Sequence, residues 1–327
     1  MKTTFFSKII NGPLHDPIVY VRFTRQKNAF IFDLGEFSYL SPKELLSISN
    51  VFISHMHIDH FIGFDRLLRH ILLKEEPVCF YGPDGIINAI DAKLRGFTWN
   101  VVKGYPLKIE VFEAKKERLE HASFYASEGF NIIRRPSILY NFSLYNNDGL
   151  YVNTCIFDHD IPVLGFSLEE DFHININKDL LNSMGLTPGP WLNELKKSVR
   201  YKQTNKPFQV DGKTFSYEEL SKIAIIAKGQ KISYITDISP SKENIQNAIK
   251  LAANSDILYI EAYFLHEELQ RAIERNHLTA KIAGMIGRLA NVQNIYFIHI
   301  SPKYFFNSEN VVKEALDEFN KGCLTVE

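Results

Sequence analysis

The heptad Ser-His-Met-His-Ile-Asp-His, residues Ser54 to His60, places three histidines and one aspartate within seven positions. It follows an apolar run with the character of a strand, and a helical pattern begins at about Asp59. Side chains two positions apart on an extended segment point to the same side, so His55 and His57 can face one ion. Asp59 and His60, at the start of the helix, point to an adjacent position. Imidazole nitrogens and carboxylate oxygens suit zinc, so the heptad predicts a metal site rather than a histidine-rich surface loop.

Strand patterns and helix patterns alternate on both sides of the heptad. Residues 17–23 and 29–35 are rich in β-branched and aromatic side chains, which favours strands. From residue 231 onward, strands and helices alternate until a closing helix that ends at Gly322. A strand-rich beginning with later alternation indicates a layered α/β protein. The apolar positions of the helix after the heptad, which would face the core, are Phe61, Phe64, Leu68, Ile71 and Leu72.

Three further ligand-type residues lie at or near the ends of predicted strands. His159 ends the run TCIFDH, Asp237 ends ISYITD, and His299 interrupts IYFIHI. Each one alone is compatible with an ordinary strand-end residue, although a buried histidine or aspartate would need a partner. Together with the heptad they indicate one shared centre. Because the candidate ligands come from both halves of the chain, we expect one catalytic domain rather than two.

Composition excludes several classes of protein. The chain has 327 residues with 37 basic and 38 acidic side chains, so no overall charge indicates nucleic acid or membrane binding. No signal peptide is evident, and no stretch approaches the roughly 18 apolar residues of a membrane span. Cys79, Cys155 and Cys323 are widely spaced and odd in number, which favours a reducing compartment. We expect a cytoplasmic protein with no membrane partner.

The segment from about residue 168 to 229 differs from the rest. It is polar, carries three prolines, and has little core-forming periodicity after Leu192. Between Leu181 and Lys231 it has nine basic residues against four acidic ones. Such a segment could follow an RNA backbone, with an affinity that falls as salt rises. The alternative is an ordinary solvated loop with an excess of lysine.

Several motifs resemble those of a known family. HMHIDH matches the HxHxDH motif of the metallo-β-lactamase superfamily. Five later segments resemble, in the same order, motifs of one branch, ribonuclease Z, the tRNA 3′-processing endonuclease. These segments are FDHDIPVLGF, GLTPGPWLNELK, IEAYF, NHLTA and IHISPKY, and the resemblance runs from about Ala29 to Tyr304. The sequence departs from the family pattern at Ile58, Ile238, Leu278 and Lys303.

The resemblance implies a fold and a ligand set. The expected fold is the αββα sandwich of the metallo-β-lactamase superfamily: two sheets face to face, helices outside, and the metal centre at the strand ends. The catalytic domain would span residues 1–327, with the basic segment at about 168–229 inserted as a substrate-binding arm. One of two zinc ions would be held by His55, His57 and His159. The other would be held by Asp59, His60 and His299, with Asp237 bridging both.

The resemblance also implies roles in catalysis. Asp59 would be both a ligand and the candidate base for the attacking water. His277 and Glu261 would form a pair that steadies the leaving oxygen or donates its proton, although His277 alone is also compatible with a surface position. The residues implied for the substrate arm are Gly189, Pro190, Lys196, Lys197 and Arg200.

The function implied is that of a zinc-dependent endoribonuclease that removes the 3′ trailer of precursor tRNA. The resemblance further implies a homodimer in which the arm of one subunit serves the active site of the other. Two alternatives stay open: a hydrolase of small phosphodiesters or other esters on the same centre, and an RNA-binding relative that has lost catalysis. The complete set of seven ligands argues against the second alternative, whereas the altered loops keep the first one open.

Overall fold

The computed structural model describes residues 4–24 and 26–321, so the predicted helix end at Gly322 and the third cysteine, Cys323, lie outside the described residues. Its first sheet has eight strands that follow one another in chain order. Strands β3 to β6 run parallel, and the strands on either side pair antiparallel. The bounds are β1 (Phe5–Ile9), β2 (Val19–Phe23), β3 (Ala29–Phe32), β4 (Ile48–Phe52), β5 (Val78–Pro83), β6 (Lys108–Ala114), β7 (Arg118–Tyr125) and β8 (Ile133–Leu139).

The second sheet has six strands, in the order β18-β17-β16-β11-β10-β9. Strands β16, β17 and β18 are parallel, so their carboxyl ends meet at one edge of the sheet. These are the strands that the alternating pattern after residue 231 predicted. The bounds are β9 (Ser143–Asn147), β10 (Leu150–Asp158), β11 (Pro162–Glu170), β16 (Lys231–Ile235), β17 (Ile257–Glu261) and β18 (Asn294–Ile298).

The two sheets pack face to face through aromatic side chains. The ring of Phe32 lies 5.6 Å from that of Phe166 and 5.8 Å from that of Tyr234, which are both on the second sheet. Helices cover the outer faces: α1 to α4 pack on the first sheet and α8 to α11 on the second. The predicted αββα sandwich is confirmed. The helix bounds are α1 (Pro42–Ser47), α2 (Ile58–Phe61), α3 (Phe64–Ile71), α4 (Ile86–Arg95), α8 (Lys242–Ala252), α9 (Leu269–Glu274), α10 (Ala280–Leu289) and α11 (Ser308–Phe319).

The basic segment forms a small unit beside the sandwich. Strands β12 (Phe172–Ile176) and β15 (Ala224–Lys228) pair at its base. Between them lie α5 (Lys178–Ser183), α6 (Trp191–Arg200), β13 (Phe208–Val210), β14 (Lys213–Phe215) and α7 (Tyr217–Ser221). Although the sequence shows little core-forming periodicity after Leu192, these elements bury a core of their own. That core contains Leu181, Leu186, Trp191, Leu195, Phe208, Val210, Leu220 and Ile223.

Helices capable of crossing a bilayer were not expected from the sequence. Within the described residues, no helix has both the length and the apolar character that crossing requires.

Candidate metal centre

The candidate ligands converge where strands of both sheets end. The heptad follows β4 of the first sheet. His159, Asp237 and His299 follow β10, β16 and β18 of the second sheet. Asp237 and His299 have left-handed backbone conformations, with φ of 51° and 52°, a region that few non-glycine residues adopt but that Asp and His tolerate better than most. A sharp turn therefore follows each of these two strands.

The first group of ligand atoms comes from His55, His57, His159 and Asp237. One ligand atom of each lies within 4.8 Å of those of the other three. His55 is buried, and its Nε2 lies 3.2 Å from Oδ2 of Asp237. The structure thus brings together the three histidines predicted for one zinc ion and the aspartate predicted to bridge.

The second group comes from Asp59, His60 and His299, whose ligand atoms also lie within 4.8 Å of one another. Oδ2 of Asp59 lies 3.1 Å from Nε2 of His299 and 3.5 Å from Nε2 of His60. Asp237 reaches this group too: its Oδ2 is 3.0 Å from His60 Nε2 and its Oδ1 is 2.7 Å from His299 Nδ1. One carboxylate therefore contacts both groups.

Several buried nitrogen atoms in this cluster have no hydrogen-bond partner. They are Nε2 of His55, Nε2 of His60 and Nδ1 of His299. All three lie within 3.2 Å of Asp237, but without the angles of a hydrogen bond. An unsatisfied buried polar atom costs about 1–3 kcal/mol, so a cation among these atoms would remove a real penalty. The imidazole nitrogens and carboxylate oxygens of the two ligand groups are the types of ligand that divalent ions such as zinc bind.

The pKa values in the cluster reflect competition between burial and charge. Burial lowers the pKa of His55, which favours the neutral imidazole that a metal requires. Burial also opposes protonation of His60, but the carboxylates of Asp237 and Asp33 raise its pKa well above the ordinary value. The Asp237 carboxyl is buried, yet His299 and His60 hold its pKa well below the usual range. Metal binding must therefore displace protons from part of this cluster.

Asp33 is a residue of the centre that the sequence analysis missed. It follows β3, is fully buried, and its Oδ2 lies 2.8 Å from Nδ1 of His60. The same carboxylate accepts hydrogen bonds from the backbone N–H and hydroxyl of Ser54 and from the hydroxyl of Tyr234. Asp33 therefore fixes the ring of His60 from behind and directs its Nε2 toward the ligands. A lone acid ending an apolar strand, the pattern that identified Asp237, was the available signal.

Glu261 and His277 form the pair that the resemblance implied. Oε2 of Glu261 lies 2.9 Å from Nδ1 of His277, and Oε1 accepts hydrogen bonds from the backbone N–H groups of Ile238 and Leu278. The ring of Tyr263 stacks on His277 at 3.9 Å. The His277 side chain is only 13% exposed, so the surface alternative does not describe its position.

Glu261 and His277 could also combine with Asp237 and His299 as a ligand group. Both carboxylate oxygens of Glu261 already have hydrogen-bond partners, because Oε1 accepts from two backbone N–H groups and Oε2 contacts His277. The pair is better suited to orienting and proton transfer than to holding an ion.

A cavity of about 340 Å³ opens over the ligands. Residues at its wall that the sequence analysis did not single out are Tyr263, Phe264, Arg271, Arg275 and Ser301. A larger cleft of about 850 Å³ beside α3 is lined by none of the candidate ligands, so cavity size alone would have located the wrong place.

The positions that depart from the family motifs have different surroundings. Ile58 is 74% exposed beside the ligands, whereas Ile238 and Leu278 are buried. Lys303 pairs with Glu268 and lies 5.4 Å from the ring centre of Phe264.

The residues predicted for the arm do not line this cavity. Pro190 immediately precedes α6, Gly189 precedes Pro190, and Lys196, Lys197 and Arg200 lie along α6. Arg200 is held internally, since it pairs with Asp171 and donates to the carbonyl of Phe172 at 2.8 Å. The three basic residues line a separate cavity of about 720 Å³.

Comparison with known proteins places the chain in a class. No protein-family model matches it. Its fold resembles human tRNase Z, short form (TM-score 0.54, 17% identity, 91% of this chain and 93% of that one). It also resembles the metallo-β-lactamase fold protein YhfI from Bacillus subtilis (TM-score 0.56, 12% identity, 97% and 93%). The chain is thus a metallo-β-lactamase fold protein.

Sequence relatives narrow the class. The chain is 29% identical to ribonuclease BN of Proteus mirabilis over 86% of its own length and 81% of that protein. It is 28% identical to ribonuclease Z of Nanoarchaeum equitans over 90% of its own length and 85% of that protein. Within the metallo-β-lactamase class, the chain therefore resembles the ribonucleases Z over most of its length, as its motifs indicated. The expected enzyme class, a metal-dependent hydrolase of the phosphodiesterase type, is confirmed by this relationship.

Proposed function

We propose that the protein is an endoribonuclease that removes the 3′ trailer of precursor tRNA, with zinc as its metal and two ions per chain. The observation that supports this most directly is the Asp237 carboxylate, which contacts both ligand groups. One ion would be held by His55, His57 and His159, and the other by Asp59, His60 and His299. When bound, such a pair of ions lowers the pKa of water and neutralises charge on phosphoryl oxygens.

The side chains around this pair would do the rest of the chemistry. A carboxylate oxygen of Asp59, whose side chain is 36% exposed, would take the proton of the attacking water. His277 keeps its Nδ1 on Glu261, so Nε2 is left to donate a proton to the leaving oxygen. The ring of Tyr263 stacks on His277 at 3.9 Å and would favour this orientation of the imidazole.

The first experiment compares two substrates on the zinc-loaded protein: precursor tRNA and bis(p-nitrophenyl) phosphate. Cleavage of the tRNA after its discriminator base supports the proposal. Turnover of the small diester without tRNA cleavage would favour the alternative, a hydrolase of small phosphodiesters, which the altered loops keep open. The complete ligand set makes the third candidate, an inactive RNA-binding relative, the weakest.

The part of the basic segment that lies between β12 and β15, here called the basic unit, can be deleted where these two strands pair. Ile176 pairs with Ala224, and the N–H of Asn177 donates to the carbonyl of Ile223. A short Asn-Gly turn can therefore replace residues 177–223 while the pairing of β12 with β15 is kept, although the contacts of Arg200 with Asp171 and Phe172 are lost. If this unit is the tRNA arm, the deletion should strongly reduce tRNA cleavage and flatten the salt dependence of the residual cleavage, while small-diester turnover persists.

We also propose a cytoplasmic homodimer in which each arm serves the active site of its partner. The absence of Lys196, Lys197 and Arg200 from the lining of the metal cavity of their own chain supports this arrangement. The test mixes armless subunits with His277→Ala subunits, each strongly impaired in tRNA cleavage alone. A mixed dimer unites one intact centre with one intact arm, so activity should reappear on mixing; no recovery in a proven mixed dimer would contradict the arrangement.

A further inference from the structure

Two arginines line the cavity over the metal centre, and they differ in what holds them. Arg271 lies on α9, and Arg275 ends that helix one turn later. The guanidinium of Arg271 contacts Glu268 at 3.4 Å and lies 5.4 Å from the ring centre of Phe264. The exposed side chain of Arg275 makes no ion pair, hydrogen bond or ring contact with the residues that the structure describes.

An unpaired guanidinium in this cavity is unexpected, because the cavity also contains the carboxylates of Asp59 and Asp237. Both carboxylates already contact histidines of the ligand groups. Lys303, a further cation near Arg271, is also paired with Glu268. Arg275 is therefore the cation that this wall of the cavity leaves available for a ligand.

We infer that Arg275 binds a phosphate group of the substrate, an inference that rests on the proposed function. A guanidinium offers parallel N–H donors whose spacing matches two oxygens of one phosphate. Arg271, fixed between Glu268 and Phe264, supplies a second positive charge one helical turn away. Arg275 thus contributes to binding and orienting the substrate rather than to proton transfer.

The direct test measures binding rather than turnover. Zinc-loaded protein is titrated with adenosine 5′-monophosphate by calorimetry, using wild type, Arg275→Ala, Arg275→Lys and Arg95→Ala. Hydrogen bonds to charged groups support a loss of affinity of about 10-fold or more for Arg275→Ala. Arg275→Lys should recover part of the loss, because it restores charge without the planar fork. Arg95 is an exposed helical arginine outside this cavity, so Arg95→Ala should bind as wild type does.

Kinetics then identify which phosphate is bound. Bis(p-nitrophenyl) phosphate has only the scissile phosphate, whereas a 5′-phosphorylated diribonucleotide also has a flanking one. An equal rise in KM for both substrates assigns Arg275 to the scissile phosphate; a rise confined to the dinucleotide assigns it to the flanking phosphate.

Wild-type affinity in Arg275→Ala, or no binding of the monophosphate to the wild-type protein, would overturn the inference. Because binding is measured without tRNA, the two proposals can fail separately. Loss of monophosphate binding in Arg275→Ala without any tRNA cleavage by wild type would leave the inference standing and remove the tRNA function.

Discussion

Replacing Asp33 by Asn tests whether the residue behind His60 controls metal binding. The Asp33 carboxylate accepts from the Ser54 N–H at 2.6 Å through Oδ1, while Oδ2 faces His60 Nδ1 at 2.8 Å and the Tyr234 hydroxyl at 2.6 Å. The amide of Asn has nearly the same shape. Its oxygen would stay on the Ser54 N–H, since a buried backbone donor must be satisfied. Its NH2 group would then face His60.

Replacing a hydrogen-bond acceptor by a donor opposite Nδ1 changes the tautomer of His60. Nδ1 must become the acceptor, so the proton moves to Nε2, which is the nitrogen that lies 3.0 Å from Asp237 and would bind the metal. Loss of such an orienting partner typically weakens metal affinity about 10–100-fold, or about 1.4–2.7 kcal/mol. The ion proposed for His55, His57 and His159 should bind nearly as it does in the wild-type protein.

The assay is stepwise competition of the zinc-loaded protein with a chelator of known affinity. The matched control is Glu113→Gln, because Glu113 is also buried and accepts a backbone N–H, from Ile87 at 3.1 Å, but it is not a candidate ligand. We expect Asp33→Asn to weaken zinc binding at only one of the two metal sites, and Glu113→Gln to weaken it at neither. Wild-type affinity at both positions would refute the tautomer argument, and equal weakening of both would show general loss of structure instead.

Three further predictions concern the same centre. Metal analysis of His60→Ala and His159→Ala should show that each loses a different ion, and full loading of both variants would contradict the ligand assignment. His277→Ala should slow phosphodiester cleavage by about 10²–10⁴-fold with metal content unchanged, whereas a wild-type rate would remove His277 from the mechanism. In the metal-free protein the pKa values of His60 and His299 are raised, so both rings carry protons at pH 7; zinc binding should release protons, and zinc affinity should rise with pH until those rings are neutral. Calorimetry in two buffers of different ionisation enthalpy measures that release, and equal heats in both buffers would contradict it.

Much of the centre was predictable because ligand residues stand out at strand ends. A histidine or aspartate that ends an apolar strand is unusual enough to be noticed, and four such places led to all seven candidate ligands. The layered fold was predictable for a similar reason, since strand and helix periodicities are local properties of the chain. Local pattern gave little indication of a core in the basic unit, although α6 is ten residues long and Leu195 and Phe208 are buried.

Only the tertiary structure decided which side chains share a cavity and what holds them. Asp33 reaches His60 across 27 positions of sequence, and Glu261 reaches His277 across 16. Arg275 lines the cavity over the ligands because α9 ends there, yet nothing in its neighbouring residues indicates that its side chain has no partner. Sequence determines which groups are available and which periodicity each segment follows. The distance between two groups depends on how the sheets and helices pack, and pKa values and metal binding depend on that distance.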